Sequence, residues 1–122
     1  MTDQAPDRRA EVGREGERRA CEHMRRRGFR ILETNHRSRL GEIDIICRDG
    51  TTVVFAEVKT RTSGLFGTPA EAVTPRKQAK LRTLARAYLN ARGLDDVEVR
   101  FDVLAVRLDT DPPSIEHIEG AF

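Results

Sequence analysis

GEIDIICRDGTTVVFAEVKTR, residues 41–61, sets the arrangement of the rest of the chain. Residues 42–48 and 51–60 are rich in Ile, Val and Thr, side chains that suit a pleated, half-buried surface. Asp49-Gly50 between them is the strongest short-range hairpin signal. A turn made of those two residues sets Arg48 opposite Thr51, Glu42 opposite Glu57 and Asp44 opposite Phe55. Side chains alternate along a strand, so Glu42, Asp44, Glu57, Lys59 and Arg61 are expected to project from one side. Asp44 and Glu57 become diagonal neighbours, roughly 7 Å apart at the backbone, a gap that two carboxylates can close onto one ion. The other side carries Ile43, Ile45, Val54, Ala56 and Val58, an ordinary core surface.

An apolar face backed by three acids and a lysine has two explanations. A hairpin with one face in solvent looks like this. Yet Ile46, Val53 and Phe55 share the charged side, so its half near the turn is expected to be covered. Like charges set against each other also destabilise a sheet unless something neutralises them, which a divalent cation would do.

The chain of 122 residues is long enough for one domain with a core that needs no disulfide. Residues 1–12 are expected to be a flexible tail and 13–122 the folded unit. The polar opening and the lack of a long apolar run predict neither an export signal nor a membrane span. Cys21 and Cys47 have no C-x-x-C spacing, and His23 and His36 do not fall at zinc-finger intervals. Unpaired thiols without an export signal point to the cytoplasm.

The net charge of +2 conceals an asymmetry. Arginines crowd residues 18–39, and residues 74–92 hold Arg76, Lys77, Lys80, Arg82, Arg86 and Arg92 with no acid. Such blocks bind a polyanion through counterion release, although solvated helix faces look the same. Among 22 basic residues the only lysines are Lys59, Lys77 and Lys80. Arg and Lys are not interchangeable at a reacting centre, so each lysine marks a place where a compact ammonium is wanted.

In chain order, a helix is expected from Gly13 to Arg27, stopped by Gly28. Glu17 lies in its narrow apolar stripe with Ala20, Cys21 and Met24, where a carboxylate needs a partner. That partner could be a metal or simply an arginine. Residues 29–35 read as a first strand, then a basic loop HRSRLG, then the hairpin. Thr60 to Pro69, with Gly64, Phe66 and Gly67, reads as a loop able to close over a substrate or as a plain connector. Thr74-Pro75 caps a second helix with Leu81, Leu84 and Tyr88 as its core stripe. Lys77 in its first turn opposes the macrodipole and is expected to face something negative. Residues 97–108 form a fourth strand and 115–118 a short edge strand. The order α-β-β-β-α-β, with a crossover into a parallel fourth strand, predicts an α/β three-layer sandwich around a mixed sheet of four to five strands. Asp102, at the far end of the fourth strand from Lys59, is read as structural.

Asp44 followed by Glu57-Val58-Lys59 across a hairpin, behind a helix bearing Glu17, resembles the restriction-endonuclease-like superfamily and its PD-(D/E)XK signature. Within it the chain is similar to the uncharacterised YraN-type bacterial family. The GREGE opening, GEIDII, EVKTR, FGTPAEAV, RFDV and the closing AF carry that likeness. Ile43 stands where the superfamily motif has proline.

The resemblance implies a restriction-endonuclease-like fold and hydrolysis of phosphodiester bonds in DNA, branched or otherwise structured. Asp44, Glu57 and the Val58 carbonyl would hold Mg²⁺ or Mn²⁺, and Lys59 would orient the attacking water. Glu17, as in archaeal Holliday-junction resolvases, would reach a second ion or its water shell; Glu42 is a further candidate. Arg37, Arg39, Arg61, Lys77 and Lys80 would grip the phosphate backbone. The resolvases are symmetric dimers, so a homodimer is open. A nucleic-acid-binding or partner-docking module on a nuclease scaffold, without cleavage, is the alternative.

Overall fold

The computed structural model describes residues 8–63 and 69–122. Helix α1 spans Arg8–Arg26, so it begins ahead of the expected Gly13. Residues 8–12 are helix formers with Glu11 in the first turn, where it suits the macrodipole. Residues 8–12 therefore do not belong to a tail. Gly28 ends the helix with φ 87°; its N–H reaches the Arg25 carbonyl, and that of Phe29 reaches Met24.

Three strands follow: β1 (Arg30–Ser38), β2 (Gly41–Asp49) and β3 (Thr52–Arg61). A short 3₁₀ turn, Pro69–Ala72, leads to α2 (Pro75–Ala91), β4 (Glu98–Arg107) and β5 (Ser114–Ile118). β1 runs further than expected, which shortens the basic loop to Arg39 and Leu40. The expected flexible loop lies partly outside the described residues, Phe66 and both glycines included.

The sheet order is β1-β2-β3-β4-β5. β3 and β4 are parallel and the other neighbours antiparallel. α1 buries Ala20, Cys21 and Met24 against Ile45, Cys47, Val54, Ala56, Leu104 and Val106. On the opposite face Leu81, Leu84, Ala85 and Tyr88 of α2 pack on Ile46, Val53, Phe55, Phe101 and Val103. The result is the expected three-layer α/β sandwich of restriction-endonuclease-like type with a mixed five-stranded sheet.

Two details of register differ from expectation. Asp49 pairs with Thr52, so the turn residues are Gly50 and Thr51. Gly50 takes φ 61° at the first central position, where two-residue hairpin turns favour glycine. Every partner therefore slides by two residues, and the ladder ends at Ile45↔Ala56. Beyond that pair β2 stays with β1 while β3 stays with β4. The sheet forks there, with Asp44 on one prong and Glu57 on the other.

Strict alternation also fails at Asp44. Ile43 and Ile46 both pack in the α2 layer, whereas Ile45 and Cys47 pack in the α1 layer. β1 breaks step at the same place. Glu33 meets Arg92, the residue that caps the end of α2, and His36 meets Tyr88 of α2. Between them Asn35 has φ 50°, a left-handed conformation that Asn tolerates better than most residues. Ile43 was expected on the same face as Ile45; instead the two pack on opposite sides of the sheet.

Candidate active site at the fork

The twist divides the expected charged face. Glu42 and Asp44 turn toward α1, where each brings a carboxylate oxygen within 4.8 Å of one on Glu17. Glu57 and Lys59 stay on the α2 side with Val53 and Phe55, and pair with each other at 3.4 Å. The five residues thus do not share one side. They flank the fork from both layers.

Asp44 spans the opening. Its Oδ2 accepts a 2.8 Å hydrogen bond from the Val58 backbone N–H, taking the place of a ladder bond. Burial pushes the Asp44 carboxyl up to about 7, and the negative charge of Glu57 adds to that. The Val58 N–H pulls it down, while Glu17 and Glu42 push it further up. Hydrogen-bonding alone would have left this acid strongly ionised. Burial first, and then the neighbouring acids, outweigh it.

Glu17 comes from the turn of α1 next to Gly16. A Cβ on Gly16 would meet the side chain of Thr60, so the glycine lets α1 settle onto β3. Beside this contact lies a cleft of about 280 Å³ lined by Arg9, Val12, Gly13, Glu17, Val58 and Thr60. Three oxygen donors within 4.8 Å of one another, two of them half-buried and one exposed, form a set that hard divalent cations accept. The residues present fit Mg²⁺ or Mn²⁺.

The expected cationic residues are spread around the fork. Arg37 pairs loosely with Glu42 across β1 and β2, at 3.5 Å. Arg39 sits exposed in the β1–β2 turn. Arg61 ends β3, its carbonyl accepting from the Leu108 N–H at 2.8 Å. Lys77 was expected to face something negative, and Glu57 is the acid that acts on it; the neighbouring Lys59 lowers the Lys77 pKa, with Glu57 acting the other way. Lys80 lies over Gly41, whose missing Cβ leaves room for the Lys80 Cε.

Residues 16–106 match the Uncharacterised protein family UPF0102, a span holding Glu17, Glu42, Asp44, Glu57, Lys59, Lys77 and Lys80. The chain belongs to the UPF0102 family. A UPF0102 protein of Alkaliphilus oremlandii (strain OhILAs) is 49% identical over 113 residues, covering 91% of this chain and 97% of that protein. One from Anaeromyxobacter dehalogenans (strain 2CP-C) is 45% identical over 95% of this chain and 87% of its own. UPF0102 protein GSU0650 of Geobacter sulfurreducens is 47% identical over 91% and 88%. These names carry no activity with them.

Sequence reasoning passed over three contributors to this UPF0102 site. Thr60 and Arg9 line its cleft, and Asn35 turns its strand. The signals were present in the second glycine of GREGE, Gly16, which marks a close approach, and in an asparagine on the strand beside the acid. Asp102 behaves as read. It is fully buried, and its carboxylate is held by Arg100 at 2.8 Å, His117 at 2.8 Å and the Gly120 N–H at 3.1 Å.

Proposed function

We propose that this UPF0102 chain is a metal-dependent hydrolase of phosphodiester bonds in nucleic acid, with DNA as its substrate. The gathering of Glu17, Glu42 and Asp44 at one point of the sheet, with Asp44 pushed up to about 7, is the observation that carries this reading. Acids gathered in this way repel one another until a proton or a cation relieves them, and a divalent cation relieves all three at once. Glu17, Glu42 and Asp44 would hold the ion, with Glu57 reaching it across the fork. A bound divalent ion supplies an acidified water and neutralises charge on the phosphate.

The chain's own residues do the rest. The Val58 N–H fixes the Asp44 carboxylate in the fork. Lys59, half-buried and held beside Glu57, donates to the reacting phosphate as charge develops on it. Arg37, Arg39 and Arg61 would grip neighbouring phosphates, fixing position without reading bases.

A second reading, a nucleic-acid-binding module without cleavage, is favoured by one feature: Lys59 is already paired with Glu57. Incubation of duplex, single-stranded and branched DNA with Mg²⁺ or Mn²⁺ separates the two. Cleavage that disappears in Asp44→Asn and Lys59→Ala, with binding retained, supports the hydrolase. Binding without cleavage by the wild-type protein supports the module.

A further inference from the structure

Gly13 and Gly16 lie three residues apart on α1 and therefore share a face. At Gly16 that face is closed, because a Cβ there would overlap the Thr60 side chain. At Gly13 an added Cβ would meet nothing within 4 Å. Helix and strand thus touch at Gly16 and part toward the start of α1. The gap between them is the cleft of about 280 Å³, with Arg9, Val12, Gly13 and Glu17 on the α1 side and Val58 and Thr60 on the β3 side.

Two of these residues also take part in the fork. Glu17 supplies one of the three gathered carboxylates, and the Val58 N–H holds Asp44. The cleft therefore begins where the proposed ion site ends. Its own occupant must be of another kind, since Glu17 is the single carboxylate in the lining and a hard cation takes about six oxygens. Val12, Val58 and the bare Gly13 backbone offer apolar surface, with Thr60, Glu17 and Arg9 as the polar groups. Apolar walls with a few polar groups suit a flat heterocycle. Pockets for drug-sized ligands run from roughly 300 to 1,000 Å³, so this cleft has room for one nucleoside and none for a base pair.

We propose that the cleft receives the base of the nucleotide next to the phosphate held at the carboxylates, so that the substrate is DNA with an unpaired nucleotide at the point of cleavage. This rests on the hydrolase reading and gives that site its substrate class. A base inside a duplex is covered by its neighbours and its partner. It enters the cleft only by leaving the stack, and the energy for that is least where the base is already unpaired, as at a bulge, a flap or a single strand. Seating the base also holds the adjoining phosphate beside Glu17 and Asp44, the positioning on which the reacting geometry depends.

Binding of a fluorescent DNA hairpin carrying one bulged thymidine tests this without requiring cleavage. The control hairpins carry a bulged abasic site, with the same backbone and charge, or no bulge. Anisotropy is read on the full chain with Ca²⁺ as the divalent ion, and the DNA is verified intact after each run. The expected result is that the thymidine bulge binds about tenfold tighter than the abasic one. Gly13→Leu and Val12→Phe, which fill the cleft from α1, remove that difference while the unbulged hairpin binds as before. Circular dichroism checks that both variants keep the fold, and the wild-type comparison stands without them. Equal binding of the thymidine and abasic bulges, or a difference that persists in both folded variants, overturns the proposal. Base-dependent binding by a wild type that cleaves none of the hairpins with Mg²⁺ or Mn²⁺ rejects the hydrolase and leaves the cleft standing. Cleavage at equal rates with and without the bulged base does the reverse.

Discussion

Gly16 of α1 lies directly on Thr60 of β3, so closely that a Cβ at position 16 would overlap the threonine side chain. Thr60 is β-branched and stiff on its strand, so it cannot give way as a long side chain would. The contact sets how near α1 approaches the sheet, and Glu17 is the next residue.

Gly16→Ala is therefore expected to lower stability by about 1–3 kcal/mol through overpacking. It should also loosen divalent-ion binding by moving Glu17. Gly13→Ala, with nothing within 4 Å of the added carbon, is the control and should raise stability by roughly 0.5–1 kcal/mol. Urea melts of both variants, and of Gly16→Ala with Thr60→Gly as rescue, check this.

Removing the crowded acid should stabilise the metal-free protein. Asp44 is raised from 3.8 to about 7 in the fold by burial and by Glu57. Below 3.8 both states are protonated and the group is neutral in its effect. As pH climbs from there toward 7 the unfolded chain ionises first, so wild-type stability falls, and above 7 the loss is complete. Asp44→Asn is expected to gain about 1–3 kcal/mol at pH 8 in EDTA, with the gain shrinking toward pH 4. Equal melting of the two proteins at pH 8 would contradict this.

A bound ion should remove the same penalty by another route. Mg²⁺ or Mn²⁺ is expected to raise the wild-type melting temperature by linkage. Glu17→Gln and Asp44→Asn should abolish the rise. Glu57→Gln should only reduce it, because Lys59 already offsets that charge. Thermal melts across a titration of each ion give the order.

Asp102 should behave in the opposite sense to Asp44. Burial pushes its carboxyl up, but hydrogen bonds from His117, Arg100 and the Gly120 N–H outweigh that and leave it lowered. Its contribution is present above 3.8 and is lost as pH falls through the depressed folded value. Asp102→Ala takes a partner from Arg100, which keeps Asp49 at 2.8 Å, and from His117, and is expected to cost about 1–3 kcal/mol, with no specific effect on ion binding. Acid denaturation curves of both proteins, with the ion titration, separate the two roles.

Much of this architecture could be read from residue order. Strands rich in Ile and Val, the Thr74-Pro75 cap and Gly28 name their elements through local physics, and the helical crossover forces β4 parallel to β3. The failures came where two local rules competed. Asp49-Gly50 promised a turn centred on itself, yet Gly50 supplied the positive φ from the first central position instead. Alternation assumes unbroken strands, and nothing in GEIDII announces that Asn35 on the neighbouring strand will turn Ile43 over. For Lys77 the dipole argument asked for a negative neighbour but could not name it, because Glu57 and Lys59, which both act on it, come from β3.

The fork has a mechanical meaning as well. β1 and β2 form one ribbon, β3 to β5 another, and the seam between them is sewn from residues 45–49 to 52–56 and then left open. At the open end the Asp44 carboxylate and the Val58 N–H make a stitch across the gap. An ion or a phosphate lodged there would fasten both ribbons together, so the open end of the seam and the proposed chemistry occupy one place. Slowed amide exchange at the prongs on adding either ligand would report the joint closing.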